Sequence, residues 1–216
     1  MKIKSAAMLE DFLQKELAWR KKELSLISTN YASSKKANRE YFWRSGVVLI
    51  YAHWEGFVKK SSQAYLNYLV FKGYKYSQLK NNFLALGIPE QFQGDMAVKK
   101  FNSYEVIVDF LINRSEDKFL CNFDNAINTQ SNLKFDVFNE IVSILDIKDN
   151  FFDLKKNLID QQLLNYRNKI AHGEKIEQPE REQIDIGVMK NEILALLEHF
   201  NTQILNAVVT KSYLKE

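Results

Sequence analysis

Residues 163–180 read LLNYRNKIAHGEKIEQPE, and the reading of this stretch decides the reading of the chain. It holds one of three histidines, His172, five positions after Arg167 and directly before Gly173. Leu163, Tyr166 and Ile170 recur at helical spacing with Ile159 upstream, so the segment is an amphipathic helix. Gly173 stands where a left-handed residue ends a helix, which puts His172 in the last turn. At about 100° per residue, Gln161, Asn165, Asn168 and His172 share the face opposite the apolar one. Solvated helix faces usually carry Lys and Glu. A row of amides and an imidazole carries little charge, which suits a face that meets a partner helix or a polar ligand.

Working outward, three more long helical patterns flank this one. Residues 5–31 place Leu9, Leu13, Leu17, Leu24 and Ile27 at helical spacing, with Ser5 as N-cap. Residues 38–72 carry Trp43, Val47, Ile50, Trp54, Phe57, Val58, Tyr65 and Leu69, and Gly73 ends them. The motif helix spans 150–172. Residues 180–211 carry Met189, Ile193, Leu196, Phe200, Ile204 and Val208, with Pro179 at the first turn. These stripes are core. The middle is less regular, with helical stretches at 77–86 and 95–113 and a polar run, CNFDNAINTQSNLK, at 121–134. The expected architecture is all-α: one domain over 1–216, a four-helix core, and an elaboration at about 74–133 between the second and third long helices.

Composition agrees. Of 216 residues, 46% are hydrophobic and 13% aromatic, which marks a folded chain rather than a disordered one. Two prolines and seven glycines are too few for the turns of a β-rich fold. The net charge of +3 permits a polyanionic partner without requiring one. Cys121 is the single cysteine, so no internal disulfide forms and a reducing compartment fits. The start, MKIKSAAMLEDF, reaches Glu10 and Asp11 before any apolar stretch of signal-peptide length. The longest apolar run lies near VVLIYA, far short of the roughly 20 residues that span a bilayer. A cytoplasmic protein is expected, with no membrane attachment.

The chemistry of the opening stretch has two readings. An imidazole takes or gives a proton near neutral pH. A guanidinium grips a phosphate through paired hydrogen bonds and offsets developing charge. Asn165 and Asn168 add groups that orient phosphate, sugar or base. These are the parts for cutting an RNA backbone without a metal. The bland reading is a helix-ending His beside a solvated Arg, and the spacing alone leaves it open. Five positions separate the two by roughly 140° of rotation, so they do not share one face of a straight helix. The reach of the Arg stem offers one remedy, and a two-fold pairing of two copies along this face offers another.

The fuller string YRNKIAHGE, ending one helix and followed by another long one, resembles the signature of the HEPN superfamily, an Arg followed after four to six residues by His. Here Arg167 and His172 match it, and Asn168 supplies the polar residue that follows the Arg. The segment LIYAHWEGFVKKSSQAYLNYL, residues 49–69, also resembles the second long helix of the MAE-type HEPN-like nuclease branch. The resemblance covers the four long helices but not 74–133. It implies a four-helix bundle, a homodimer through the motif helices, and a composite cleft holding both Arg–His pairs. It implies metal-independent endoribonuclease activity on an RNA substrate by attack of the ribose 2′-OH, with no cofactor. His172 is then the acid or base, Arg167 the phosphate clamp and Asn168 a positioning group. Asn165 and Glu55 join them as substrate-positioning residues; the plain alternative for Glu55 is an i,i+4 pair with Lys59. A prokaryotic toxin or antiviral-defence effector, with an antitoxin or defence protein as partner, is the implied role. The alternative is a catalytically silent dimerisation module that binds a partner protein or nucleotide. Members silenced by a nucleotidyltransferase carry Tyr two residues after the His; Glu174 stands there, so control by tyrosine adenylylation is not expected.

Other features carry less. His53, among large apolar residues, is a packing histidine, and His199 flanks the apolar stripe of the last helix. No His/Cys/Asp/Glu spacing matches a zinc site, and no glycine-rich phosphate loop occurs. The pairs Lys21-Lys22, Lys35-Lys36, Lys59-Lys60 and Lys99-Lys100 are solvated faces that also attract RNA at long range.

Overall fold

A computed structural model describes residues 2–91 and 101–215. The first long helix, α1 (Ala6–Ser33), starts where the Ser5 side chain accepts the Met8 amide. After a 3₁₀ turn at Lys36–Asn38, α2 (Arg39–Lys72) runs to Gly73, whose φ of 70° ends it in the left-handed conformation. α2 buries residues around its circumference, from Trp43 and Val47 through Trp54, Phe57 and Val58 to Tyr65 and Leu69, because it is the central helix. α1, the motif helix and the last long helix all pack against it.

The elaboration is also helical. A 3₁₀ turn at Tyr76–Gln78 leads to α3 (Asn81–Gln91), followed by α4 (Phe101–Asn113), the short α5 (Phe123–Ala126) and α6 (Phe135–Ile144). The expected helices at 77–86 and 95–113 therefore appear, the first shifted because Tyr76–Gln78 winds as a tight turn. Residues 95–100 of the second, with Lys99-Lys100, lie outside the described residues. α6 belongs to the core: Phe138 meets Trp54 at 4.9 Å, Phe152 at 5.0 Å and Phe200 at 5.7 Å between ring centroids. Among the described residues there is no β-strand, only isolated bridges between Lys75 and Lys118 and between Leu79 and Leu214.

The motif helix is not one continuous α-helix from 150. Residues 149–152 are a turn in which the Asp149 carboxylate accepts the Phe151 amide, and Asp153–Lys155 is 3₁₀. Leu158–Leu164 is a π-helix, and α7 proper is Asn165–Ala171. The last pattern also divides. Pro179 opens a separate four-residue α8 (Gln178–Arg181), and the long α9 (Ile186–Thr210) begins where Asp185 accepts the Val188 amide. The break at 182–185 is held from the core side, because Trp43 Nε1 donates to the Ile184 carbonyl at 3.1 Å.

Candidate functional site

The end of α7 is set by backbone geometry. Gly173, at φ 74°, donates to the Ile170 carbonyl, and Glu174 donates to the Lys169 carbonyl. Together these form a Schellman cap, with His172 as its C-cap residue. The chain beyond is tied to α2 by Arg44, whose Nη1 donates to the Glu174 carbonyl at 2.7 Å. α8 pins the other flank through an ion pair from Lys169 to Glu180. Tyr166 also bonds Glu180 and meets Trp43 edge-on at 5.5 Å. Just upstream, the π-helix closes i→i+5 bonds, as where the Asn165 amide reaches the Asp160 carbonyl. Such wide turns recur at functional sites. The 100° step therefore fails across 158–164, yet the polar row stays outward. Gln161, Asn165 and His172 are exposed and Asn168 is partly so, while Ile159, Leu163 and Tyr166 are buried.

Arg167 is held in place rather than freely solvated. Its Nη1 donates to Asn132 Oδ1 at 2.9 Å and to Asn168 Oδ1 at 2.8 Å. Its guanidinium lies 4.7 Å from the ring centroid of Tyr51, a cation–π contact typically worth about 0.5–2 kcal/mol. Both hydrogen bonds use Nη1, and among the described residues no hydrogen bond or ion pair engages Nε or Nη2. Tyr51 is buried on α2, and its hydroxyl accepts the Leu133 amide at 2.7 Å and bonds Glu55. Burial, foremost, pushes this phenol well above its ordinary range; the Leu133 amide opposes the shift and Glu55 adds to it. Tyr51 therefore stays neutral and donates to the Glu55 carboxylate. Thr129 Oγ1 donates to the same carboxylate at 2.5 Å.

The structure thus brings Arg167, Asn168 and, through Tyr51, Glu55 together. Glu55 forms no ion pair with Lys59 among the described residues; Thr129 and Tyr51 occupy its carboxylate instead. Asn165 is exposed on the outer face. Among the described residues the exposed His172 imidazole has no hydrogen-bond partner and no contact joins it to Arg167. Tyr51, Thr129 and Asn132 are absent from the motif pattern. The signals that could have found them are the i,i+4 spacing of Tyr51 and Glu55 on one helix and the amide-rich run 121–134.

The other histidines are accounted for. His53 is buried, lies 3.0 Å from Glu23 Oε2 and packs on Trp19. His199 is partly exposed, bonds Asp149 at 2.6 Å and stacks on Phe151 at 4.2 Å. Among the described residues, no group of three or more His, Cys, Asp or Glu side chains could hold a metal ion. Nor is any described helix long and apolar enough to cross a membrane.

The family described as RiboL-PSP-HEPN matches residues 15–206. The chain belongs to the HEPN superfamily. The match runs through the 74–133 elaboration, which the motif resemblance had left uncovered, and it names the RiboL-PSP branch where residues 49–69 had pointed to the MAE-type branch. Arg167, Asn168 and His172 lie inside the matched span. As a HEPN domain the chain has a nuclease or RNA-binding type of function. No curated protein and no solved structure matches it.

Proposed function

We propose that this HEPN domain is a metal-independent endoribonuclease that acts as a homodimer in the cytoplasm, as a toxin or antiviral-defence effector. The observation that carries the reading is the state of Arg167. Its guanidinium is held through Nη1 by two amide oxygens and backed by the Tyr51 ring, its Nε and Nη2 carry no hydrogen bond among the described residues, and His172 caps the same helix. A positioned cation with a free bidentate edge is suited to a phosphodiester, and a proton-transfer group five residues on supplies what cleavage further needs.

The reaction runs by transfer within the RNA. The ribose 2′-oxygen attacks the adjacent phosphorus as its proton passes to a base, and the P–O5′ bond breaks as the leaving oxygen takes a proton. His172 serves that proton transfer, and Arg167 offsets the charge that grows on the phosphoryl oxygens. Five positions set the two residues roughly 140° apart around the helix and no contact joins them among the described residues, so the proposed cleft is completed by a second copy packed along the Gln161, Asn165 and His172 face. The test is product chemistry on end-labelled RNA. The expected ends are 2′,3′-cyclic phosphate and 5′-hydroxyl, formed equally well in EDTA, and 2′-deoxy substitution at the cut site blocks the reaction. Cleavage that requires magnesium or manganese, or that leaves 5′-phosphate ends, overturns the reading.

A further inference from the structure

The polar run 121–134 does something its sequence does not announce. Ile127, Thr129 and Leu133 are buried, while Asn128, Gln130, Ser131 and Asn132 are exposed. The inward residues are fasteners. Thr129 bonds Glu55, the Leu133 amide bonds Tyr51, and the Phe135 amide bonds Asp160 Oδ1 at 2.7 Å on the π-helical segment. Between these anchors the backbone makes an uncommon turn: Gln130 and Ser131, neither a glycine, sit consecutively at φ 53° and 58°. Left-handed non-glycine residues are unfavourable, and they persist where the surrounding structure over-determines them, often at ligand sites. Here the turn sets Asn132 against the guanidinium of Arg167.

Hydrogen-bond chemistry then fixes which way Asn132 faces. Arginine has only donors, so the amide oxygen of Asn132 must be the atom turned to it, and the NH₂ group must point elsewhere. That NH₂ has no partner among the described residues, and the side chain is exposed. The neighbouring Gln130 adds a complete amide, donor and acceptor both, with neither atom engaged by another described side chain. Unpaired amide groups beside a phosphate-gripping arginine are suited to the edges of unstacked bases, the usual handle for sequence-specific recognition of single-stranded RNA.

We propose that residues 128–132 form a base-reading loop, in which Gln130 and Asn132 select the nucleobase next to the phosphate held by Arg167. The inference rests on the ribonuclease reading of the site and adds its source of sequence preference. Thr129, Leu133 and Phe135 fasten the loop and are not its readers; of the readers, Gln130 makes no such bond among the described residues, and Asn132 also steadies Arg167. Asn132→Asp keeps an acceptor toward Arg167 and removes the NH₂ donor; its added charge beside the guanidinium lowers overall cutting, a loss that cancels in the ratio between bases. Gln130→Ala removes the second amide at an exposed position.

The experiment presents the full-length protein with a single-stranded RNA pool randomised at the nucleotides flanking the cut. Cleaved and filter-retained molecules are sequenced for wild type, Asn132→Asp, Gln130→Ala and the double variant. The wild type is expected to prefer one base at a flanking position by about ten-fold or more. Each single variant compresses that preference and the double variant abolishes it; Gln130→Ala cuts at the wild-type level, whereas total cutting or retention is reduced in both proteins carrying Asn132→Asp, so the base preference is read as a ratio within each protein's own products. An unaltered preference in the double variant, or a wild type with no preference, overturns the base-reading role and leaves the ribonuclease reading standing. A folded wild type that neither cuts nor retains any RNA fails the ribonuclease reading, and the loop proposal falls with it.

Discussion

Arg167 makes its contacts through one nitrogen and a ring face, and this governs what its replacement does. Arg167→Ala removes the clamp, and His172→Ala removes the proton-transfer group. Each is expected to lower RNA cleavage by about 10²–10⁴-fold, the usual cost of a positioned acid, base or charge-stabilising donor. Circular dichroism should be unchanged. His172 is exposed, and Arg167 lies off the buried Ile159/Leu163/Tyr166 face, so truncation opens no core cavity. Arg167→Lys is expected to be impaired as well, because an ammonium cannot grip Asn132, Asn168 and a phosphate in one plane. The Arg–Asn–His string was legible in the sequence because it is short and local. Tyr51 and Asn132 were not, since they reach Arg167 from 116 and 35 positions away (167 − 51 and 167 − 132), and only the packing of α2 and the elaboration against α7 unites them. Nor did spacing show that Thr129, and not Lys59, is the partner of Glu55.

At the scale of elements, the important object is the end of α7. The Schellman cap at Gly173 aims His172, and a Cβ at Gly173 would meet nothing within 4 Å. The cost of replacing it is therefore conformational: Gly173→Val is expected to destabilise by about 1–2 kcal/mol, and Gly173→Asn by less, since Asn tolerates the left-handed region. Chemical denaturation measures this, and cleavage should fall along with stability for Val. Helix ends governed by a single residue were readable: Ser5, Gly73 and Gly173 all act as the sequence implied. The π-helix at Leu158–Leu164 was not, because i→i+5 bonding is a backbone choice that leaves no distinct side-chain period over seven residues. The late start of α9 was hidden for a different reason. Pro179 is a strong helix-start signal and does start a helix, but Asp185 caps a second one six residues on.

At the scale of the molecule, α2 is surrounded, and one of its buried groups makes stability sensitive to pH. Burial, foremost, holds His53 below its ordinary value of 6.5; Glu23 opposes that shift and Arg20 adds to it. Between the folded value and 6.5 the unfolded chain binds a proton that the folded chain does not. Stability from this group is thus fully present above that window and lost as pH falls through it. The thermal midpoint is expected to drop as pH falls below 6.5, with a shallower drop in His53→Gln.

We propose that Arg167 of one copy and His172 of another act on the same phosphate, because no contact joins the two within one copy among the described residues. Subunit complementation tests it directly. Arg167→Ala and His172→Ala proteins are each purified, shown to dimerise by sedimentation, then mixed under subunit exchange and given labelled RNA. A mixed dimer keeps one intact Arg and one intact His across the shared cleft. The mixture is predicted to regain cleavage at least about a hundredfold above either variant alone. Sedimentation of the wild type as a monomer at micromolar concentration, or a mixture of exchanging dimers that stays as inactive as its parts, would contradict the composite site.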